Sequence, residues 1–263
     1  MPEDILLRED RGAVATLTLN DPARLNALST AMLDALQTAL DAIATDRAIR
    51  AVILRAEGKA FCAGHDLREM TAARQAEDGG RAAFEALFAQ CSRLMLAITR
   101  LPQPVIAEVQ GVAAAAGCQL VATCDLAVAA EGARFGVNGV NIGLFCSTPM
   151  VALTRNVPAK RAFEMLTTGA FVDATEARAI GLVNRVVPPE ALGAETRALA
   201  ETLAAKLGAV VTIGKRAFYD QAALPLEEAY AHAGRVMSEN MLRPDTAEGI
   251  GAFLDKRPPD WKQ

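Results

Sequence analysis

Two short segments of small residues mark places where a ligand could approach the main chain. One is Cys62-Ala63-Gly64-His65-Asp66 and the other extends from Gly111 to Gly117, each between an apolar strand-like run and a helix-like run. Small side chains let a ligand come close to the backbone, and the free N–H groups at a helix start favour negative charge. Two such groups that converge would form an oxyanion hole. The alternative interpretation is a pair of tight, closely packed turns.

The side chains that could add chemistry are few. The chain has two histidines, His65 and His232, and five cysteines at positions 62, 91, 118, 124 and 146. No clustered Cys/His spacing is present, so we expect no metal site. Cys118 and Cys146 could be nucleophiles if their pKa were lowered, but a lone cysteine in an apolar setting usually serves packing. His65 titrates in the useful range and lies beside the first segment of small residues.

Composition excludes several functional classes. With 263 residues, 52% hydrophobic and 22% charged, the chain is typical of a folded globular protein. Its net charge of −4 argues against a nucleic-acid partner. The longest apolar run, residues 112–130, contains Gln119 and Asp125 and is not predicted to span a membrane. The odd cysteine count and the acidic start at Met1–Asp4 predict a cytoplasmic protein.

The elements that would position these segments alternate between strand and helix. Short apolar runs at Ala51–Arg55 and Pro104–Val109 are typical of buried strands, and strand–loop–helix alternation over residues 50–140 predicts an α/β core. Ser29 is a plausible cap for a helix with one apolar stripe, and residues 72–80 are expected to form a mobile loop. From Glu190 to Leu254 the apolar spacing indicates three or four helices.

Several motifs, in a fixed order, resemble those of the crotonase (enoyl-CoA hydratase/isomerase) family. The resemblance runs from about Leu6 to Arg257, and its motifs are Phe61-Cys62-Ala63-Gly64-His65-Asp66-Leu67, Pro104-Val105-Ile106-Ala107-Glu108-Val109-Gln110-Gly111, Gly117-Cys118-Gln119-Leu120 with Cys124-Asp125, and Phe135-Gly136. It implies an α/β fold, the crotonase (ClpP-like) spiral of ββα units, in residues 1–189 with an acyl-CoA site. It also implies a C-terminal helical trimerisation region in residues 190–263.

The resemblance assigns roles to particular residues. Members of the family bind acyl-CoA thioesters, so coenzyme A would be part of the substrate and no cofactor is expected. The thioester oxygen would lie between the backbone N–H groups of His65 and Ala116. Arg24 and Lys256 resemble residues that reach the coenzyme A moiety. Backbone groups of three further residues would hold its adenine and pantetheine: Ala63, Asp66 and Leu67.

Two positions depart from the family pattern. Hydratases of the family use two glutamates as general acid and base. The first of these positions is Gln119, which hydrogen-bonds but does not take a proton at neutral pH, and the second is Gly139, which has no side chain. Standard hydratase or isomerase chemistry is therefore in doubt. Other side chains could substitute, His65 among them, whereas the adjacent Asp66 usually has a structural role in the family.

Three functions follow from this combination. The first is an enzyme of fatty acid metabolism, nominally an enoyl-CoA hydratase and thus a lyase, that uses a backbone oxyanion hole. The second is a non-catalytic acyl-CoA-binding or regulatory protein. The third is a different reaction of a CoA thioester, such as hydrolysis or decarboxylation. In each case the expected partners are acyl-CoA and further copies of the chain, in a trimer or a hexamer.

Overall fold

The computed structural model describes residues 4–261, so Met1–Glu3 of the acidic start and the last two residues of the C-terminal region lie outside the described residues. Two sheets contain ten strands within this range. Their bounds are β1 (Leu6–Arg11), β2 (Val14–Leu19), β3 (Ala51–Ala56), β4 (Ala60–Cys62), β5 (Val105–Val109), β6 (Val112–Ala114), β7 (Leu126–Ala130), β8 (Arg134–Gly136), β9 (Val172–Asp173) and β10 (Arg185–Val187).

Eleven α-helices surround the two sheets in the described range. They are α1 (Thr30–Thr45), α2 (Leu67–Ala73), α3 (Arg81–Arg100), α4 (Ala116–Thr123), α5 (Ser147–Asn156), α6 (Ala159–Thr168), α7 (Ala174–Ala179), α8 (Leu192–Ala204), α9 (Gly208–Gln221), α10 (Leu226–Met241) and α11 (Pro244–Leu254). Short 3₁₀ helices cover Pro22–Arg24, Asn138–Ile142 and Pro189–Ala191. The last four α-helices match the upper count that the apolar spacing predicts.

The strand order explains why the segments of small residues meet. The larger sheet has the order β1-β2-β3-β5-β7-β10, and the smaller has the order β4-β6-β8-β9. In the smaller sheet β4 pairs in parallel with β6, and β6 pairs in parallel with β8. The segments after β4 and after β6 therefore leave the same edge of one sheet, side by side.

Strand β2 has an alternating sequence pattern, and both of its faces are buried. A half-buried strand is expected from this pattern, yet every residue of β2 is buried. Ala15, Leu17 and Leu19 pack into the main core, whereas Val14 packs with Leu199 and Ala200 of α8 on the other side of the sheet. Because α8 covers that second face, the strand has no solvent side.

Capping residues set several helix starts as the sequence predicts. The Ser29 side chain accepts a hydrogen bond from the Met32 N–H at the start of α1, and Asp173 accepts one from Glu176 at α7. The expected mobile loop over 72–80 is wrong in part, because α2 continues to Ala73. The turns that follow are organised by Asp78, which accepts hydrogen bonds from the N–H groups of Gly80 and Ala82.

Helix α3 is the one helix of residues 4–261 that is long and apolar enough, by length and composition, to cross a membrane. Its apolar stripe lies inside the protein, however. Cys91, Leu94 and Ile98 are buried in the main core, and α3 packs against α1. One side of the helix is therefore part of the hydrophobic core, while most of its residues are partly or fully exposed.

A buried ion pair attaches α9 to the core. The Nζ atom of Lys215 lies 2.6 Å from Oδ2 of Asp125 and donates to the carbonyl oxygens of Ile98 at 2.8 Å and Gln103 at 2.9 Å. Asp125 also accepts from the Tyr219 hydroxyl at 2.8 Å. Burial lowers the pKa of Lys215, and the Asp125 carboxylate opposes this shift. The pair connects the end of α3, the loop before β5 and the start of β7 with a C-terminal helix.

Removing the cation from this network should be strongly destabilising. In Lys215→Met the largely buried Asp125 carboxylate, 14% exposed, loses its counter-ion, and the loss of one partner of a buried pair typically costs about 3–5 kcal/mol. The adjacent Arg216→Met removes an exposed pair with Asp220 at 3.5 Å, and pairs of this kind contribute at most about 1 kcal/mol. Urea denaturation of both variants measures the difference. Equal losses of stability would contradict the structural role given to Lys215.

Candidate functional site

The first segment of small residues is a turn held from both sides. Gly64 has a φ of +95°, a conformation that favours glycine, and its carbonyl oxygen accepts from the Leu28 N–H at 2.8 Å. Asp66 then caps α2, because its carboxylate accepts from the N–H groups of Arg68 and Glu69. The Asp66 side chain is therefore occupied in holding the turn.

The second segment ends in a strained residue. Ala115 has φ +48° and ψ −115°, which non-glycine residues rarely adopt, and α4 begins directly after it at Ala116. Gly117 lies so close to β4 that an added Cβ would be 2.2 Å from the Cys62 carbonyl oxygen. The strain at Ala115 turns the chain sharply, and the first N–H groups of α4 are left without intrahelical acceptors.

The two segments pack directly on each other. A Cβ placed on Gly64 would lie 3.1 Å from the Ala114 carbonyl oxygen and 3.3 Å from the Ala116 nitrogen. His65 follows Gly64 in the chain, so the two positions expected to donate N–H groups belong to backbones in contact. The structure thus brings together the two turns, and close packing is the means by which they meet.

The His65 side chain has one ring nitrogen in use. Its Nδ1 lies 3.3 Å from the Leu28 carbonyl oxygen, and its ring meets Phe88 edge-on at a centroid distance of 5.7 Å. A carbonyl oxygen only accepts, so Nδ1 carries the proton and Nε2 carries the lone pair. Nε2 is buried and finds no hydrogen-bond partner among residues 4–261. Burial lowers the pKa of His65, which keeps the ring neutral at pH 7.

Arg24 lies beside the first turn. Its guanidinium is 2.7 Å from the Asp21 carboxylate and 3.7 Å from that of Asp66. Asn26 anchors this loop with a left-handed φ of +53° and amide hydrogen bonds to the carbonyl oxygens of Glu57 and Ala60. Asn26 was not among the residues that the sequence singled out, although asparagine is one of the few residues that adopt this conformation readily.

The remaining residues expected at a coenzyme A site do not all lie in the same part of the structure. The Ala63 N–H is already used, because it donates to the Leu25 carbonyl oxygen at 3.1 Å. Leu67 is half exposed at the start of α2. Lys256 lies just after α11 with a φ of +55°, and no described contact joins it to Arg24 or His65. The structure therefore groups Arg24, Ala63 and Leu67 and leaves Lys256 apart.

Neither position at which the family resemblance expects a glutamate carries one. Gln119 lies on α4 and is only 5% exposed, and its Oε1 finds no hydrogen-bond partner in the described part of the chain. At Gly139 an added Cβ would lie 2.4 Å from the Leu144 carbonyl oxygen and 2.9 Å from the Cys146 sulfur. The obstacle to a side chain at position 139 is thus lack of space, and nothing in residue spacing could have revealed it.

The cysteines behave as packing residues. All five are buried and unpaired. Burial raises the pKa of Cys118 to about 12 and also raises the pKa of Cys146. Both thiols are therefore protonated and poorly nucleophilic at neutral pH. Within residues 4–261 no group of three or more His, Cys, Asp or Glu side chains is arranged to hold a metal ion.

Comparison with known proteins connects this geometry to a family. The enoyl-CoA hydratase/isomerase family model matches residues 9–263. The chain belongs to this family. It is 45% identical to the enoyl-CoA hydratase domain-containing protein 3 of Xenopus laevis over 256 residues, covering 97% of this chain and 85% of that protein.

Solved structures confirm the crotonase fold. An enoyl-CoA hydratase of Mycobacterium smegmatis superimposes with a TM-score of 0.94 at 55% identity, over 99% of this chain and 100% of that one. The human enoyl-CoA hydratase domain-containing protein 3 gives a TM-score of 0.93 at 43% identity, over 98% of this chain and 100% of that one. Both the family resemblance and the expected α/β crotonase fold are therefore confirmed.

The expected cytoplasmic localisation is contradicted by the same comparison. The frog, mouse and human relatives are all named as mitochondrial proteins. The physical reason for the error is that unpaired cysteines indicate only that the fold needs no disulfides. That property does not distinguish one reducing compartment from another.

The crowding at Gly139 yields a direct test. We expect Gly139→Ala to destabilise the fold by about 1–3 kcal/mol, the usual range for overpacking, because the Leu144 carbonyl must move. Gly132→Ala is the matched control, since an added Cβ there meets nothing within 4 Å. Thermal unfolding of both variants compares the two sites. If Gly139→Ala were as stable as Gly132→Ala, the Asn138–Leu144 segment would accommodate the added methyl group without cost. That result would contradict the steric restriction at position 139.

Proposed function

We propose that the chain binds acyl-CoA thioesters at the junction of the two turns, with the thioester oxygen held by the backbone N–H groups of His65 and Ala116. The observation that carries this proposal is the close approach of the two turns, because a Cβ added at Gly64 would lie only 3.3 Å from the Ala116 nitrogen. Strain at Ala115 supports it further, because strained backbone is typically retained where it serves a site. Preorganised donors of this kind stabilise the negative charge that develops on a thioester oxygen.

Arg24 supplies the cation for the anionic coenzyme A moiety. It lies against the first turn, and its side chain is still 46% exposed despite its two carboxylate neighbours. Asp21 and Asp66 orient the guanidinium and leave part of its surface for a phosphate. Lys256 would add a second cation only if it came from a neighbouring subunit.

The same geometry argues for weak hydratase activity. Hydration needs one group to activate water and one to return a proton. Gln119 transfers no proton, and the space at Gly139 is filled by Leu144 and Cys146. Beside the two turns lies the neutral His65 ring, whose Nε2 has no hydrogen-bond partner among the described residues. We therefore propose an acyl-CoA-binding protein of the family in which standard enoyl-CoA hydration is slow.

A second candidate is a CoA-thioester reaction, such as decarboxylation or hydrolysis, that does not need the two glutamates. The filled space at Gly139 favours it over hydration, because a decarboxylation draws on oxyanion stabilisation without a base for the substrate. Incubation with a panel of acyl-CoAs and mass spectrometry of the products separates this candidate from binding alone.

Ligand binding is the first test of the proposal. Acetoacetyl-CoA and other short or medium acyl-CoAs should raise the melting temperature, since a ligand at 100 times its Kd adds about 2.7 kcal/mol of stability. Arg24→Gln should reduce this shift, whereas Arg81→Gln, on the exposed start of α3, should not. No shift with any acyl-CoA well above micromolar concentration would refute the site.

Crotonyl-CoA hydration should remain far below about 10 s⁻¹, the typical enzymatic rate. A rate at that level would reveal a working base, and His65→Gln would then identify it.

We also propose that the C-terminal helices α9–α11 form contacts between copies of the chain. They expose large apolar side chains that a lone subunit would leave in water, among them Phe218, Leu226, Tyr230, Leu242, Phe253 and Leu254. A trimer, or a hexamer of two trimers, is the expected assembly. Light scattering at micromolar concentration measures the mass directly, and a monomer would be the contrary result.

A further inference from the structure

The side chain of Gln110 connects the starts of the two short strands that lead into the candidate site. Its Nε2 atom donates to three carbonyl oxygens of the turn that joins β3 to β4, those of Ala56 at 3.0 Å, Gly58 at 3.1 Å and Ala60 at 3.1 Å. Gln110 itself lies two residues before β6. Its amide therefore joins this 56–60 turn, from which β4 begins, to the segment from which β6 begins.

The 56–60 turn sets the orientation of the Gln110 amide. The Oε1 atom of Gln110 is buried and finds no hydrogen-bond partner among residues 4–261. A buried acceptor without a partner is unfavourable, so the three contacts of Nε2 must outweigh this loss. The next residue reinforces the contact, because a Cβ on Gly111 would lie 2.1 Å from the Lys59 carbonyl oxygen. Both the side chain and the main chain of this segment therefore contact the turn.

The ladder between β4 and β6 is short and irregular. Each strand has three residues. Ala60 pairs with Val112 and Cys62 pairs with Ala113, and the register shifts between these two pairs. Because two pairs provide few hydrogen bonds between the strands, contacts at the start of the ladder contribute much to fixing the position of β4 relative to β6.

The two turns of the candidate site lie directly beyond this ladder. Gly64 and Ala116 each follow the first pair of the ladder by four residues, a distance that an extended chain covers in at most about 14 Å. A Cβ on Gly64 would lie 3.3 Å from the Ala116 nitrogen, so the two chains are in contact at both ends of the ladder. A displacement of β4 along β6 would therefore change the separation of the N–H groups of His65 and Ala116.

We propose that Gln110 is a positioning residue for the thioester oxygen. By holding the 56–60 turn it fixes β4 against β6, and it thereby sets the separation of the N–H groups of His65 and Ala116. The inference rests on the proposed function, because it requires these two groups to bind the oxygen. Gln110 does not touch the ligand in this role. A merely structural role would lower the stability of the fold and leave the selectivity for a carbonyl unchanged.

Calorimetric titration with butyryl-CoA and its thioether analogue S-butyl-CoA tests the inference, because the analogue has a methylene group in place of the carbonyl. The natural chain should bind the thioester about tenfold more tightly, as expected for hydrogen bonds to the carbonyl oxygen. Gln110→Met is similar in size and removes the donor, so it should bring the ratio of the two dissociation constants close to one. Gln110→Asn has a shorter arm that reaches fewer of the three carbonyl oxygens and should give an intermediate ratio, which keeps the test valid if Gln110→Met does not fold.

Gln103→Met is the matched control. Gln103 lies at the other end of β5, where its Nε2 also donates to three carbonyl oxygens and its Oε1 also lacks a partner among residues 4–261. This substitution should lower the stability in urea by a similar amount and leave the tenfold ratio unchanged. A full thioester preference in the folded Gln110 variants would overturn the positioning role, and so would an equal loss of preference in Gln103→Met.

Failure of the proposed function gives a different result in the same titrations. If the natural chain binds neither ligand, or binds both equally, the two turns do not hold a thioester oxygen, and the role of Gln110 fails with them. If the natural chain prefers the thioester and the Gln110 variants keep that preference, the proposed function stands and the role of Gln110 alone is wrong.

Discussion

The contact between two main chains, at Gly64 and at Ala114–Ala116, is the constraint on which the rest of the site depends. Any side chain at position 64 would push the turns apart, and any relaxation of Ala115 would turn α4 away from β4. The sheet topology brings the two segments to one edge, and the glycines let them touch. In the proposed site the thioester oxygen is bound by backbone N–H groups, so the side chains of His65 and Ala116 could vary without loss of these donors.

Around this contact, most side chains at the site act by holding the turns in place. Asp66 caps α2, Asn26 ties its loop to Glu57 and Ala60, and the His65 ring bonds to Leu28. Each of these groups satisfies a main-chain donor or acceptor that the sharp turns would otherwise leave unpaired. Rigidity of this kind is what a site built from fixed dipoles requires, because such dipoles stabilise charge only when they need not reorient.

Much of the fold could be predicted from the sequence, because it depends on local signals. Ser29, Asp173 and the apolar runs of β3 and β5 place their elements correctly. The crotonase architecture followed from motifs in a fixed order, and the comparisons confirm it. The contacts of His65 with Leu28 and Phe88 and the buried pair of Lys215 with Asp125 join residues far apart in the chain. The spacing of residues along the chain gives no information about such pairs, so only the structure could identify them.

The filled space at Gly139 has an evolutionary consequence. A carboxylate gained at this position by one substitution would lower the stability of the fold, because the Leu144 carbonyl stands where the new Cβ must go. The segment from Asn138 to Cys146 would have to be remodelled first, and that change alone brings no catalytic benefit. A substitution at position 139 alone would therefore cost folding stability before it could add a catalytic group.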